Sequence, residues 1–189
     1  MTRYYWKELY SEIEGCRRCR LCEQRTNIVI GEGDPEAAIM FIGEGPGRDE
    51  DLSGRPFVGR AGQLLDKMIN AIGFKRDEVY IANVVKCRPP NNRTPEESEA
   101  AACLPYLRAQ FALIRPEIIV CLGATAAKYV YDSNVRITKD RGVWKEKKGV
   151  WILPTYHPAA LLRDESKKRE AWEDMQKLKQ KYDEIAQNT

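Results

Sequence analysis

The chain has 189 residues, 43% of them hydrophobic, and a formal net charge of +3. This length suits one domain with a buried core, so we expect residues 1–189 to form a single, monomeric domain. The longest apolar runs are far shorter than a membrane span, and residues 1–15 do not have the layout of a secretory signal, which predicts a cytoplasmic protein with no membrane partner. The weak positive charge permits nucleic-acid binding but does not indicate it.

Strands and helices are predicted to alternate along the chain. Residues 4–14 form an amphipathic helix in this interpretation, because apolar side chains recur there every four residues. Buried strands are predicted at 37–42, 79–85, 117–122 and 150–153, and further helices at 62–72, 95–114, 124–131 and 166–186. Thr94, Pro95 and Glu97 predict the N-cap, first residue and capping-box acid of the helix at 95–114. The alternation predicts an α/β fold with a parallel sheet, whose ligands bind at the carboxyl ends of the strands.

The loop Gly43–Asp51 follows the first predicted strand, and its glycines would let a ligand approach the backbone. A dinucleotide-binding loop is the simplest interpretation of such glycines. It fits poorly, because Arg48 stands where the third glycine of that fingerprint would fall. Four acidic residues in the loop would also repel a pyrophosphate.

Three further side chains are predicted near the same edge of the sheet. Phe57, between Arg55 and Arg60, is either core filler or a platform for stacking on a nucleobase. Asn83 ends the second strand and can simply form a turn. Its carboxamide also matches the N3–H and O4 groups of uracil, and a good bidentate pair discriminates against the wrong base by about 1 to 3 kcal/mol. His157, the only histidine, is either structural or functional, and its position after the fourth strand favours function.

The six cysteines are clustered in a way that indicates metal binding rather than disulfides. They are Cys16, Cys19, Cys22, Cys87, Cys103 and Cys121. Thiolates without a nearby histidine suit either zinc or a 4Fe-4S cluster, and their spacing does not choose between these metals. Cys121 lies within an apolar strand and is interpreted as a small buried hydrophobic residue.

Five ordered segments of the sequence together resemble the family 4 uracil-DNA glycosylases. They are Cys16–Leu21, Gly43–Asp51, Gly54–Gly59, Asn83–Pro90 and His157–Ala159. The resemblance implies a three-layer α/β/α sandwich with a central four-stranded parallel sheet, and an enzyme of base excision repair that hydrolyses the bond between uracil and deoxyribose. It also implies a 4Fe-4S cluster that tethers the N-terminal segment and is held by Cys16, Cys19, Cys87 and Cys103. Cys22 is an additional candidate, so the choice of Cys19 over Cys22 rests on alignment alone.

The resemblance also implies roles in substrate binding. Phe57 would stack on a uracil flipped out of DNA, and Asn83 would read its edge. Glu50 would occupy the space that the methyl group of thymine needs.

For cleavage, the resemblance implies donors aimed at O2 of the departing uracil, where negative charge develops. His157, as a neutral donor, and backbone N–H groups around Gly45 are the candidates. Related glycosylases commonly have Asp at the position of Gly45. The residue that positions the attacking water is therefore left open between Glu44 and Asn92.

Contacts with the DNA duplex are expected from two groups of residues. Either Leu161 or Leu162 would fill the space of the flipped base, as an apolar wedge next to Arg163. Candidate phosphate contacts, each of which can also be an ordinary surface charge, are Arg55, Arg60, Arg88, Arg93 and Arg163. One alternative is a non-catalytic iron-sulfur or zinc DNA-binding module of the same fold. A glycosylase that bonds covalently to the sugar through a loop histidine is disfavoured, because the loop after Cys87 contains no histidine.

Overall fold

The structure, a computed structural model, describes residues 2–187. Its sheet has six strands: β1 (Glu32–Gly33), β2 (Ile39–Gly43), β3 (Tyr80–Asn83), β4 (Ile118–Leu122), β5 (Lys145–Lys147) and β6 (Val150–Thr155). They lie in the order β1-β3-β2-β4-β6-β5. β3, β2, β4 and β6 pair in parallel, whereas β1 and β5 are antiparallel edge strands. The α/β class and the four parallel strands are confirmed, and the two short edge strands extend the predicted sheet.

In the described part of the chain, eight α-helices surround the sheet: α1 (Thr2–Glu14), α2 (Arg48–Ser53), α3 (Arg60–Ala71), α4 (Glu97–Ile114), α5 (Ala124–Val130), α6 (Ile137–Asp140), α7 (Pro158–Arg163) and α8 (Lys168–Gln187). Successive strand residues point to opposite faces of the sheet. Ile39 and Phe41 of β2 accordingly pack in one apolar cluster with α3 and α8. Met40 and Ile42 pack in another cluster with α1, α4 and α5. The sheet and the helices on its two faces form the three layers of the sandwich, and one apolar cluster fills each interface between layers.

The predicted start of α4 is wrong by two residues. Its N-cap is Glu96, and the carboxylate of Glu99 accepts a hydrogen bond of 2.8 Å from the backbone N–H of Glu96. Arg93 pairs with the same buried carboxylate at 2.7 Å, which fixes the N-cap two residues beyond Thr94. The ion pair between Arg93 and Glu99 therefore overrides the Thr-Pro signal.

The parallel strands place the candidate residues at one edge. β2, β3, β4 and β6 all end at the same side of the sheet, at Gly43, Asn83, Leu122 and Thr155 respectively. Within residues 2–187 no helix is both long enough and apolar enough to span a membrane.

Candidate active site

A cavity of about 680 Å³ opens at the carboxyl edge of the parallel strands. Its walls come from the turn after β2, the loop before α3, the end of β3 and the start of α7. Phe57, Asn83 and His157 all line this cavity although they are far apart in the sequence. The structure thus brings the aromatic ring, the carboxamide and the imidazole into one site.

The side chains of Phe57 and Asn83 meet over Gly43, the last residue of β2. A β-carbon at Gly43 would lie 2.5 Å from Oδ1 of Asn83 and 2.5 Å from Cζ of Phe57. A β-carbon essentially never makes contacts that short, so only glycine allows both groups to approach the strand end. Gly43 therefore sets the close spacing of the ring and the carboxamide.

Asn83 has a buried acceptor with no donor. Its side chain is 1% exposed, and Oδ1 accepts no hydrogen bond from any described residue. Leaving a buried polar group unpaired costs about 1 to 3 kcal/mol, so such atoms in native proteins call for an explanation. A ligand that donates a hydrogen bond to Oδ1 would remove this penalty.

His157 is held as a neutral hydrogen-bond donor. It is the N-cap of α7, and its Nδ1 accepts a hydrogen bond of 3.1 Å from the backbone N–H of Ala159. The proton of the neutral ring is therefore on Nε2. Burial, and secondarily the charge of Arg163, lower the pKa of His157 to about 4 against the opposing effect of Glu50. The imidazole lies beside Phe57, with ring centroids 5.5 Å apart.

Glu50 lines the cavity, but its carboxylate is already occupied by the backbone. Oε1 accepts hydrogen bonds from the N–H groups of Val58 at 2.9 Å and Gly59 at 2.8 Å. Oε2 accepts one from Gly47 at 3.1 Å. The side chain thus fastens the loop before α2 to the loop before α3, and it is fixed in place.

Glu44, Gly45 and Asn92 also line the cavity. The hydroxyl of Thr125 donates a short hydrogen bond to Oε2 of Glu44. Oδ1 of Asn92 accepts a hydrogen bond of 2.7 Å from Arg88, which occupies its acceptor. Sequence reasoning missed Thr125, although it lies just after the end of β4, where the same strand-end rule applies.

Comparison with known proteins decides the family. A family model described as the uracil DNA glycosylase superfamily matches residues 30–176. The chain belongs to this superfamily.

The chain is 50% identical over 183 residues to the type-4 uracil-DNA glycosylase of Sulfurisphaera tokodaii, covering 92% of this chain and 83% of that protein. It is 50% identical over 185 residues to the type-4 uracil-DNA glycosylase of Thermotoga maritima, covering 94% and 95%. The match to the Saccharolobus solfataricus type-4 enzyme is 45% over 178 residues, covering 89% and 82%. The resemblance seen in the motifs is confirmed.

The residues at 161–163 that are predicted to contact DNA differ in their surroundings. Leu161 is 2% exposed and packs with Tyr156 and Ala171, so it belongs to the core. Leu162 is half-buried, and Arg163 at the cavity rim is exposed. Of the two leucines, only Leu162 has a side chain that is partly exposed to solvent.

The five candidate arginines also fall into different groups. Arg55 makes a bidentate pair with Glu32 at 2.7 Å, and Arg93 pairs with Glu99. Arg88 is bonded to Asn92, as described above. Within the described residues, no carboxylate pairs with the exposed Arg60 or Arg163.

The predicted metal ligands of this superfamily member line a second, smaller cavity. Five thiols contribute to it, namely those of Cys16, Cys19, Cys22, Cys87 and Cys103. Arg25 donates to Sγ of Cys87 at 3.2 Å, and the backbone N–H of Lys86 donates to Sγ of Cys103 at 3.3 Å. These cationic and N–H groups suit thiolates that bind metal. Among the described residues, no three His, Cys, Asp or Glu side chains converge closely enough to hold a single metal ion.

Cys121 lies apart from the thiol cavity. It is fully buried in β4, and burial raises the pKa of its thiol to about 12. The side chain therefore packs as an uncharged apolar group.

Proposed function

We propose that this protein hydrolyses the N-glycosidic bond of uracil in DNA, releasing uracil and leaving an abasic site. Its relatives of similar length are named type-4 uracil-DNA glycosylases. The observation that carries the proposal is the buried, unpaired Oδ1 of Asn83, which lies over Gly43 beside Phe57 in the cavity. The N3–H group of uracil is the donor that this acceptor requires.

Recognition begins when uracil leaves the base stack, which costs a few kcal/mol and less at a mismatch. Stacking on Phe57 returns about 1 to 3 kcal/mol of that cost. Asn83 then accepts from N3–H and donates to O4, a pattern that cytosine reverses. Glu50 lies where the methyl group of thymine would enter, and its three backbone hydrogen bonds prevent it from moving aside.

Cleavage moves negative charge onto the uracil ring, while the sugar becomes cation-like. His157 donates from Nε2 to the uracil O2, and it does so as a neutral ring because its pKa is lowered to about 4. The backbone N–H of Gly45, which makes no hydrogen bond within the described residues, is the second donor. Glu44, oriented by Thr125, positions the attacking water in this proposal.

Contacts outside the pocket hold the DNA. Leu162 fills the space that the flipped base leaves, since Leu161 is committed to the core. Arg60 and Arg163 contact phosphates, which makes binding weaken with salt. Arg55, Arg88 and Arg93 contribute less, because each already has a partner in the protein.

A 4Fe-4S cluster is proposed at the thiol cavity, held by Cys16, Cys19, Cys87 and Cys103. All-thiolate donors with N–H and cationic groups around the sulfurs fit such a cluster, which takes four cysteines, each bound to a different iron. Structural zinc would need its ligands around a single point. When bound, the cluster ties the segment before β1 to the chain after β3, and hydrolysis of the glycosidic bond requires no redox step.

The reaction is tested with a DNA strand that contains one uracil. Incubation with the protein and then with alkali is expected to break the strand at uracil only, with free uracil released in equal amount. Strands with thymine or cytosine at that position should stay intact. Binding of the uracil strand without any break would instead identify a non-catalytic DNA-binding module.

A further inference from the structure

Phe57 adopts a backbone conformation that is unfavourable for its residue type. Its φ angle is +50°, in the left-handed region that side chains with a β-carbon avoid. Its side chain is nevertheless 5% exposed and lies against Gly43 and His157. Some other part of the protein must therefore hold the backbone of Phe57 in place.

The guanidinium group of Arg76 holds this backbone through hydrogen bonds to its carbonyl groups. It donates to the carbonyl oxygen of Phe57 at 3.1 Å and makes a short hydrogen bond to the carbonyl oxygen of Pro56. Arg76 lies in a 3₁₀ turn just before β3 and does not line the cavity. One rigid fork therefore fixes two consecutive carbonyl groups at the strained position.

Arg76 is itself anchored by two carboxylates. Its Nη1 donates to Asp66 of α3 at 2.7 Å, and its Nε donates to Glu32 of β1 at 3.3 Å. The Arg76 side chain is only 19% exposed, so these partners leave it little freedom. The packing of α3 adds a further restraint, because a β-carbon at Gly62 would lie 1.9 Å from the carbonyl oxygen of Phe57.

We propose that Arg76 is a positioning residue that sets the aromatic platform for the flipped base. It acts through the backbone of Phe57 and contacts neither DNA nor uracil. The inference rests on the proposed function, because it assumes that Phe57 stacks on the base. Without the fork, Phe57 relaxes from its left-handed conformation and its ring leaves the position beside Asn83 and His157.

A double-mutant cycle tests this inference. Single-turnover uracil release is measured with excess protein for the wild type, Arg76→Met, Phe57→Leu and the double variant. Arg76→Met is expected to slow release about tenfold when Phe57 is present and less than about twofold when Leu replaces it. Equal factors in the two backgrounds would overturn the proposal, because Arg76 would then act independently of Phe57.

A core variant separates positioning from general loss of stability. Ile114→Ala removes apolar contacts on the opposite face of the sheet, where Ile114 is 5% exposed. Its effect on the rate is expected to be the same factor with Phe57 or Leu at position 57, since distant changes are additive. If Ile114→Ala couples to Phe57 as strongly as Arg76→Met does, the effect of Arg76 comes from stability alone and the positioning role is wrong.

A conservative variant keeps the test decisive if Arg76→Met does not fold. Arg76→Lys keeps the charge near Asp66 and Glu32 but has no planar fork for two carbonyl groups. It should fold and restore part of the rate, again only when Phe57 is present. A wild-type rate for Arg76→Lys would overturn the role of the fork. A wild-type protein that releases no uracil would instead refute the proposed function, and this inference with it.

Discussion

Three side chains of the cavity differ in how much of their hydrogen-bonding capacity the protein already uses. Both oxygens of Glu50 accept from backbone N–H groups, and only Nδ1 of His157 is bonded. Oδ1 of Asn83 has no donor within the described residues. Nε2–H of His157 and Oδ1 of Asn83 are thus among the groups left for a pyrimidine to bind.

The protonation of His157 can be measured directly, because the chain has one histidine and its NMR signals need no assignment. Burial lowers its pKa to about 4, so the ring should stay neutral as the pH falls through 6. The unfolded chain takes up a proton near pH 6.5, so the stability linked to the neutral ring is complete above that pH and declines toward pH 4. A ¹⁵N-histidine titration is expected to show the Nε2–H tautomer at neutral pH. Titration near pH 6.5, or the Nδ1–H tautomer, would contradict this account.

At the scale of elements, the site depends on loops that are fastened to one another. Glu50 at the start of α2 ties its own loop to the segment that leads into α3. Arg76 ties that segment to the start of β3. The parallel strands bring the loops to one edge, and these two side chains fix them there.

The Glu50→Gln variant tests the first of these links. An amide replaces one acceptor with a donor, so at least one of the three N–H groups loses its partner, at a cost of about 1 to 3 kcal/mol. We expect the free energy of unfolding in urea to fall by this amount and uracil release to slow. The control is Asp49→Asn, which removes the charge of an exposed acid in the same helix. It should leave stability nearly unchanged. Equal stability of the two variants would contradict the link.

Much of this arrangement could be predicted from the sequence, and the remainder depends on tertiary contacts. The four parallel strands appear as apolar runs, and the strand-end rule brings Asn83 and His157 together because parallel strands end at one edge. The edge strand β1 has two residues, which is too short for a periodic pattern. Arg76 carries no local signal, because its role arises from carbonyl groups about twenty residues earlier in the chain. The roles assigned to individual site residues stay predictions.

At the scale of the whole molecule, the two candidate sites lie at the two ends of one buried segment. Asn83 lines the candidate active-site cavity and Cys87 lines the thiol cavity, and every residue from 83 to 87 is buried. Between them, the ammonium group of Lys86 donates to the carbonyl oxygen of Asn83 at 2.9 Å and to Gln110 at 2.6 Å. The metal site would therefore support the strand end that carries the carboxamide.

The metal is tested on protein purified without oxygen. We expect a brown protein with broad absorption near about 400 nm, because thiolate-bound iron absorbs there and zinc does not. Cys103→Ala should lose the colour and the iron. Cys121→Ala should keep both, because Cys121 lies outside the thiol cavity. A colourless wild-type protein with stoichiometric zinc would contradict the proposed cluster.

The central claim is that one cavity both reads uracil and cleaves its bond, and single-turnover uracil release by Asn83→Leu and His157→Ala tests it most directly. Asn83→Leu removes an acceptor that has no donor among the described residues, so the variant should be at least as stable as the wild type in urea. We expect it to lose about 1 to 3 kcal/mol of discrimination for uracil, and His157→Ala to cleave about a hundred-fold more slowly at saturation. Wild-type uracil release by folded His157→Ala, or wild-type discrimination against cytosine by folded Asn83→Leu, would contradict the account.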